Sequence, residues 1–253
     1  TSVMPNIVCM RHTWNAEETF TRGQPENGAE LANDLQRFCE TYGGSTISAV
    51  FVEPIAGSTG TLVPPKGYLE RLSEICDEHG ILLVFDEVIT GFGRTGKAFG
   101  SDSFGVVPDI MTIAKALTNG AIPMGGVVVQ DDIYKTVTEA APENAIEFFH
   151  GYTYSGHPAA CAAGIAVQKI YQEEQLFDKA AKLSEYFLDG LFDLQDIDNV
   201  RDIRGFGLMG GVELHAKGNP GVRGTQAQKS LGASLTSFTL YIFTIYAAIY
   251  GFI

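Results

Sequence analysis

Two polar residues end apolar runs at positions where they could do chemistry together. Asp86 lies near the end of ILLVFDEV, and Lys115 ends DIMTIAK. Ligands of open α/β sheets bind at the carboxyl ends of the strands, so we expect both side chains at one crevice. A lysine that ends an apolar strand extends to solvent, pairs with an acid, or serves as an amine. Burial lowers the pKa of such an amine and makes it a nucleophile toward carbonyls.

The chemistry that suits this pair is that of a pyridine-ring cofactor. A carboxylate at a strand end can keep a pyridinium nitrogen protonated, which pyridoxal phosphate requires in order to act as an electron sink. The alternative is a salt bridge between Lys115 and Asp86 at the sheet edge, and spacing alone favours it. A third candidate is Thr153, whose hydroxyl lies in the glycine- and aromatic-rich turn HGYTYSGHP.

The elements that position these residues follow from the hydrophobic pattern. From Ile47 onward, short apolar runs alternate with amphipathic helices in the order STISAVFVEP, GYLERLSEICDEHG, ILLVFDEV, DIMTIAK and GGVVVQ. This alternation predicts an α/β fold with a mostly parallel sheet and crossover helices. The run ILLVFDEV is typical of a strand covered on both faces, and Gly80 is placed to end the helix before it.

The pattern changes near Pro158, which indicates a second structural unit. We predict that residues 1–165 are part of a large domain. Residues 166–224 would form a connecting helix and the start of a smaller C-terminal α/β domain, in which RDIRGFGLMGGVEL is a strand entered through a glycine-rich turn.

The segment 225–253 differs from the rest, because its last 24 residues carry no charge. Its length and hydropathy suit a transmembrane helix, which needs about 20 apolar residues. However, β-branched and aromatic residues crowd it, and it interrupts an α/β pattern in mid-domain. We therefore expect a divergent apolar tail of artefactual origin, such as a frameshift or a read-through intron, with a membrane segment as the alternative.

Composition excludes several classes of function. The 17 basic and 30 acidic residues give a net charge of -13, which argues against nucleic-acid binding. The cysteines and histidines show no spacing typical of a metal site. No secretory signal is visible at TSVMPNIVCM, so the expected compartment is the cytoplasm, with the mitochondrion as the alternative.

The longest motif lies between the two strand ends. The run LLVFDEVITGFGRTGKAFGSDSFGVVPDIMTIAKALTNGAIPMGG resembles the signature of the class III aminotransferases, which are pyridoxal-phosphate enzymes of fold type I. The flanking RHTWNAEETFTRGQP, VFVEPIAGSTGTLVPPKGYLERLSEICDEHG and FFHGYTYSGHPAACAAG are similar to the ω-amino acid–pyruvate (β-alanine–pyruvate) subgroup. The resemblance covers residues 5 to 224.

The resemblance implies roles for five residues. Lys115 would be the Schiff-base lysine, Asp86 the partner of the pyridine nitrogen, and Val88 a residue packed on the cofactor ring. Thr153 would bind the phosphate of the neighbouring subunit in a homodimer with shared active sites. Glu53 matches an acidic residue near the cofactor and substrate, although a carboxylate that caps its own turn is an equally good interpretation.

The implied activity moves an amino group from an ω-amino acid or primary amine, such as β-alanine, to pyruvate. In the resembled family, the main phosphate loop lies upstream of Thr1, and the arginine for the substrate carboxylate lies downstream of Gly224. The alternatives are therefore another fold type I reaction, such as racemisation or decarboxylation, and a truncated, non-catalytic product, either free or attached to a membrane through its tail.

Overall fold

A four-stranded sheet organises the part of the chain, residues 5–214, that the computed structural model describes. Its strands are β1 (Ala49–Val52), β2 (Leu82–Asp86), β3 (Ile110–Ile113) and β4 (Gly126–Val129), and they are ordered β1-β2-β3-β4. The first three strands are parallel, and β4 pairs antiparallel with β3. The predicted α/β fold with a mostly parallel sheet is confirmed.

Six helices accompany the sheet in the described residues. They are α1 (Asn33–Tyr42), α2 (Tyr68–His79), α3 (Gly100–Phe104), α4 (Asp131–Glu139), α5 (Pro158–Glu173) and α6 (Leu176–Phe192). The long helical region predicted after Pro158 is therefore two helices. Gln175 separates them with a left-handed φ of 52°, and Glu173 and Glu174 lie at the C-terminal end of α5, where acidic side chains oppose the helix dipole.

The main core lies between one face of the sheet and helices α1 and α2. Leu83 and Phe85 of β2 belong to it, together with Leu69, Leu72 and Ile75 of α2, and all five are at most 2% exposed. Gly80 ends α2 in the left-handed conformation, as the sequence predicted, and returns the chain directly into β2. This short return fixes where β2 begins.

The opposite face of the sheet carries Asp86. Side chains alternate along a strand, so Val84 and Asp86 lie on the face away from the main core. Val84 is buried, but Phe51 beside it on β1 is 74% exposed, and Val127 on β4 is 64% exposed. The apolar cover of this face is thus uneven among the described residues.

The segment RDIRGFGLMGGVEL forms a hairpin of β5 (Val200–Phe206) and β6 (Met209–Leu214), rather than the single strand predicted. Its Gly-rich centre predicts the entry to a strand, whereas Gly207 and Leu208 make a tight turn between two strands. The hairpin has a small core of Leu188, Leu191 and Ile203. The domain boundary at residue 165 falls within α5 and stays a prediction.

No helix among residues 5–214 is long and apolar enough to cross a membrane. The predicted apolar tail, 225–253, lies outside the described residues.

The carboxylate of Asp202 joins the hairpin to the N-terminal loop. It is 1% exposed and accepts hydrogen bonds from Trp14 Nε1 at 3.1 Å and from the Phe20 amide at 2.7 Å. The Arg204 guanidinium forms an ion pair with the same carboxylate. One buried acid therefore serves three donors that come from two distant parts of the sequence.

We expect Asp202→Ala to lower the free energy of unfolding by about 3–5 kcal/mol, because it removes the buried acceptor of Trp14 Nε1 and the Phe20 amide and one of the two carboxylates that pair with Arg204. Asp189→Ala is the matched control, since Asp189 pairs with Arg22 at the surface, where its side chain is 65% exposed. That variant should change stability by at most about 1 kcal/mol. Urea unfolding followed by circular dichroism measures both, and equal losses would contradict the assignment.

Candidate active site

Three of the predicted site residues lie at the same edge of the sheet. Asp86 is the last residue of β2 and pairs in register with Thr112 of β3. Lys115 comes three residues after Thr112, and Glu53 directly follows β1. Because β1, β2 and β3 are parallel, their carboxyl ends meet at one edge, and the three side chains are brought together there.

Lys115 lies in the turn after β3 rather than on the strand itself. The strand ends at Ile113, and Lys115 begins a 3-10 turn that ends at Leu117. Its φ is +49°, a left-handed conformation that few residues other than glycine adopt. Backbone strain of this kind persists only where the surrounding structure imposes it, and it is concentrated at functional sites.

The electrostatic environment lowers the pKa of Lys115. The largest cause is loss of solvation from partial burial, although the side chain as a whole is exposed, and the second is the positive charge of Arg94. The carboxylates of Asp86 and Glu53 act in the opposite direction. Since the net shift is downward, a larger fraction of this amine is neutral and nucleophilic at a given pH than for an ordinary lysine.

Asp86 is held by its own turn, and the structure does not make it the partner of a salt bridge. Its Oδ1 accepts a hydrogen bond from the Val88 amide at 3.0 Å. No donor among the described residues binds Oδ2, and no ion pair in this part of the chain joins Asp86 to Lys115. The simple sheet-edge salt bridge is therefore not what these residues form, and one carboxylate oxygen is left to accept a ligand.

Glu53 has the contact expected of a carboxylate that caps its own turn. Its Oε2 accepts a hydrogen bond from the Gly57 amide at 2.9 Å. The same charge also acts on Lys115. The two interpretations of Glu53 are thus compatible: it orders the turn after β1 and contributes negative charge to the site, while its contact with a cofactor stays a prediction.

Val88 and Thr153 differ in their relation to this edge. Val88 is half-buried two residues after Asp86, and its packing on a cofactor stays a prediction. Thr153 lies in a turn within a run, residues 142–159, that is exposed throughout. No hydrogen bond or ion pair joins Thr153 to Lys115, Asp86 or Glu53 among the described residues, and its part in the site stays a prediction.

Two residues that support the site received no role from the sequence. Glu87 is fully buried, and its carboxylate accepts hydrogen bonds from the Thr90 hydroxyl and from the amides of Gly100 at 2.8 Å and Ser101 at 2.7 Å. A Cβ at Gly100 would approach Pro54 Cβ to 2.8 Å, so only glycine allows this close packing. Glu87, the residue after Asp86, thereby joins the end of β2 to the start of α3.

The second supporting residue is Arg94, which is 9% exposed. Its Nη1 donates hydrogen bonds to the carbonyls of Ile89 at 2.8 Å and Gly91 at 3.2 Å. Both Glu87 and Arg94 lie in the part DEVITGFGRTG of the long motif that resembles the class III signature, and this motif is the sequence feature that could have indicated them. Their roles depend on tertiary contacts that spacing does not reveal.

Comparison with known proteins agrees with this geometry. The family described as aminotransferase class III matches residues 3–245. The chain belongs to the class III aminotransferases. It is 53% identical over 213 residues to the omega-amino acid–pyruvate aminotransferase of Pseudomonas putida, covering 83% of this chain and 47% of that protein.

Other members of the family are also similar. The β-alanine–pyruvate aminotransferase of Pseudomonas aeruginosa is 51% identical over 223 residues, which are 87% of this chain and 50% of that protein. The crystal structure of an (S)-enantioselective omega-transaminase from Thermomicrobium roseum has a TM-score of 0.70 and 44% identity, covering 74% of this chain and 41% of that one. The chain thus spans about half the length of the curated relatives it matches. The predicted family and the transaminase fold are confirmed, and so is the predicted similarity to ω-amino acid–pyruvate and β-alanine–pyruvate aminotransferases.

The charge on Arg94 gives a prediction for the amine of Lys115. Arg94→Gln removes a positive charge, so the pKa of Lys115 should rise and the neutral fraction of the amine at pH 8 should fall. Arg94→Lys keeps a cation at the position and is the control. Competitive acylation over a pH series, read by peptide mass spectrometry, measures the profile of Lys115. An unchanged profile in Arg94→Gln would show that Arg94 does not act on the amine.

Proposed function

We propose that the chain carries the lysine and aspartate of a pyridoxal-phosphate-dependent aminotransferase that moves an amino group from an ω-amino acid or a primary amine, such as β-alanine, to pyruvate. The observation that carries the proposal is the placement of Lys115, with its lowered pKa, and Asp86 at the ends of neighbouring parallel strands. The substrate class rests on the relatives, whose names specify omega-amino acids, β-alanine and pyruvate.

The residues at this edge fit pyridoxal phosphate in two respects. Lys115 offers an amine with an increased neutral fraction, as attachment to the cofactor aldehyde needs. Asp86 keeps one carboxylate oxygen without a donor among the described residues, and that oxygen can accept a hydrogen bond from a ring nitrogen. When bound, the cofactor supplies an electron sink for the carbon that loses or gains the amino group.

Each of the chain's own residues has a defined task in this proposal. Asp86 holds a proton on the ring nitrogen, because a carboxylate stabilises the cation beside it. Lys115 Nζ holds the cofactor before substrate arrives and then moves a proton at the substrate carbon, for which an amine of lowered pKa is suited. Val88, near Asp86, would pack on the ring, and Glu53 orders the turn after β1.

Trapping of the cofactor tests the proposal. The purified chain is titrated with one equivalent of pyridoxal phosphate, reduced with borohydride and mapped by peptide mass spectrometry. We expect the label on Lys115 and its loss in Lys115→Ala, while Lys135→Ala, an exposed lysine on α4, keeps it. A label on Lys66, Lys97 or Lys135 in the unmodified chain would rule out the assignment.

The alternatives predict different results in the same experiment. A truncated, non-catalytic product retains the sheet but shows no preference for Lys115 over surface lysines. Another fold type I reaction gives the same label on Lys115, and product analysis with β-alanine and pyruvate separates it from transamination.

We also propose a homodimer with shared sites. Residues 142–159 are exposed throughout, and the apolar members of this run include Phe149 at 89% and Tyr154 at 80% exposure. Apolar patches of this kind mark association surfaces. A second copy of the chain would cover them and bring Thr153 to the phosphate at its partner's site.

Two matched variants in this run test the shared site. Thr153→Ala should weaken cofactor affinity by about 1–3 kcal/mol, the range for a hydrogen bond to a charged group. Ser155→Ala removes a hydroxyl of the same turn that accepts the Tyr152 amide at 3.1 Å, and it should leave affinity unchanged. Sedimentation with and without pyridoxal phosphate should show that the cofactor favours the dimer. A cofactor-loaded monomer would contradict the shared site.

A further inference from the structure

The strained turn at Lys115 has all three of its carbonyl oxygens paired. The Lys115 carbonyl accepts the Thr118 amide at 3.4 Å and the Gly120 amide at 3.3 Å. The Ala116 carbonyl accepts the Tyr171 hydroxyl at 2.7 Å, and the Leu117 carbonyl accepts Gln168 Nε2 at 3.4 Å. Two of these four donors are side chains of α5, a helix more than 40 residues later in the chain.

Tyr171 also contacts the loop that follows Asp86. Its ring lies 6.2 Å, centroid to centroid, from the ring of Phe92, which follows Asp86 by six residues. On its other side it packs against Phe177 of α6 at 5.3 Å. The hydroxyl therefore binds the backbone next to Lys115, while the ring packs on the segment that follows Asp86.

We propose that Tyr171 is a positioning residue for the Lys115 amine, because it bridges the turn that bears Lys115 and the loop that follows Asp86. The inference deepens the proposed function, since it assumes that the Lys115 amine is the reacting group. The bond from Tyr171 to Ala116 opposes relaxation of a left-handed residue, which would otherwise turn toward a lower-energy conformation. The ring contact holds the Asp86 loop at a set distance from the same turn.

The reactivity of Lys115 in the absence of cofactor is the appropriate measurement. Acetic anhydride at a limiting concentration labels every lysine in proportion to its neutral fraction and its access, and peptide mass spectrometry reads each site. Lys182 on α6 is the reference within each sample. Tyr171→Phe keeps the ring and its packing but removes the hydroxyl, so only the bond to the turn is lost.

We expect Tyr171→Phe to slow acylation of Lys115 at pH 8 by about three- to tenfold relative to Lys182, as loss of one hydrogen bond permits. A relaxed turn places the amine in more water and farther from Arg94, so less of it is neutral. Gln168→Met removes the second α5 donor and should act in the same direction with a smaller effect. Tyr186→Phe makes the same chemical change at a residue that is 78% exposed on α6, and it should leave Lys115 unchanged.

The outcomes separate positioning from general stability. If Tyr171→Phe unfolds at a lower temperature but keeps the Lys115 acylation rate, Tyr171 is only structural and the inference is wrong. If Tyr171→Phe does not fold, the rate in Gln168→Met decides, and an unchanged rate there also overturns the inference. Because no cofactor is present, failure of the trapping experiment does not affect this result, and a normal trapping result cannot substitute for it.

Discussion

The parallel pairing of β2 with β3 is the interaction on which the candidate site depends. Asp86 pairs with Thr112 of β3, and Lys115 follows Thr112 by three residues in the turn after that strand. The pairing therefore brings the carboxylate and the amine to the same edge of the sheet. A shift of one residue in this register would turn Asp86 toward the face occupied by Phe85, because side chains alternate along a strand. The register is set by burial: Leu83 and Phe85 fill the main core, and a shift would expose them.

The loops after the strands are fixed by buried polar groups rather than by apolar packing alone. Glu87 accepts two amides at the start of α3 and the Thr90 hydroxyl, and Arg94 donates to two carbonyls of the same loop. Removing either side chain would leave buried hydrogen-bonding groups without a partner. The resulting loss in folding free energy is larger than the net contribution of a hydrogen bond at the surface. A glycine-rich segment that would otherwise be mobile can thus hold Asp86 in place.

The sequence predicted the sheet and the placement of Lys115 and Asp86 well, because both depend on local patterns. The apolar run of β2, the helix that ends at Gly80 and the polar residues at strand ends are visible without tertiary information. The sequence did not predict the break at Gln175, because glutamates are compatible with a continuous helix. It did not predict the hairpin of β5 and β6 either, because a glycine-rich segment can precede one strand or form the turn between two strands. The contacts of Tyr171, Glu87 and Arg94 join segments that pattern alone does not bring together.

The balance of charge at the sheet edge explains why Arg94 belongs in the site. Asp86 and Glu53 both stabilise a protonated Lys115, and they alone would raise the pKa of its amine. Partial burial and the Arg94 cation act against them and give the net lowering. In the proposed site, the Asp86 carboxylate can therefore stabilise a cationic ring nitrogen while the pKa of Lys115 stays lowered. Loss of solvation is the largest cause of that lowering, and the buried Arg94 adds the positive charge that opposes the two carboxylates.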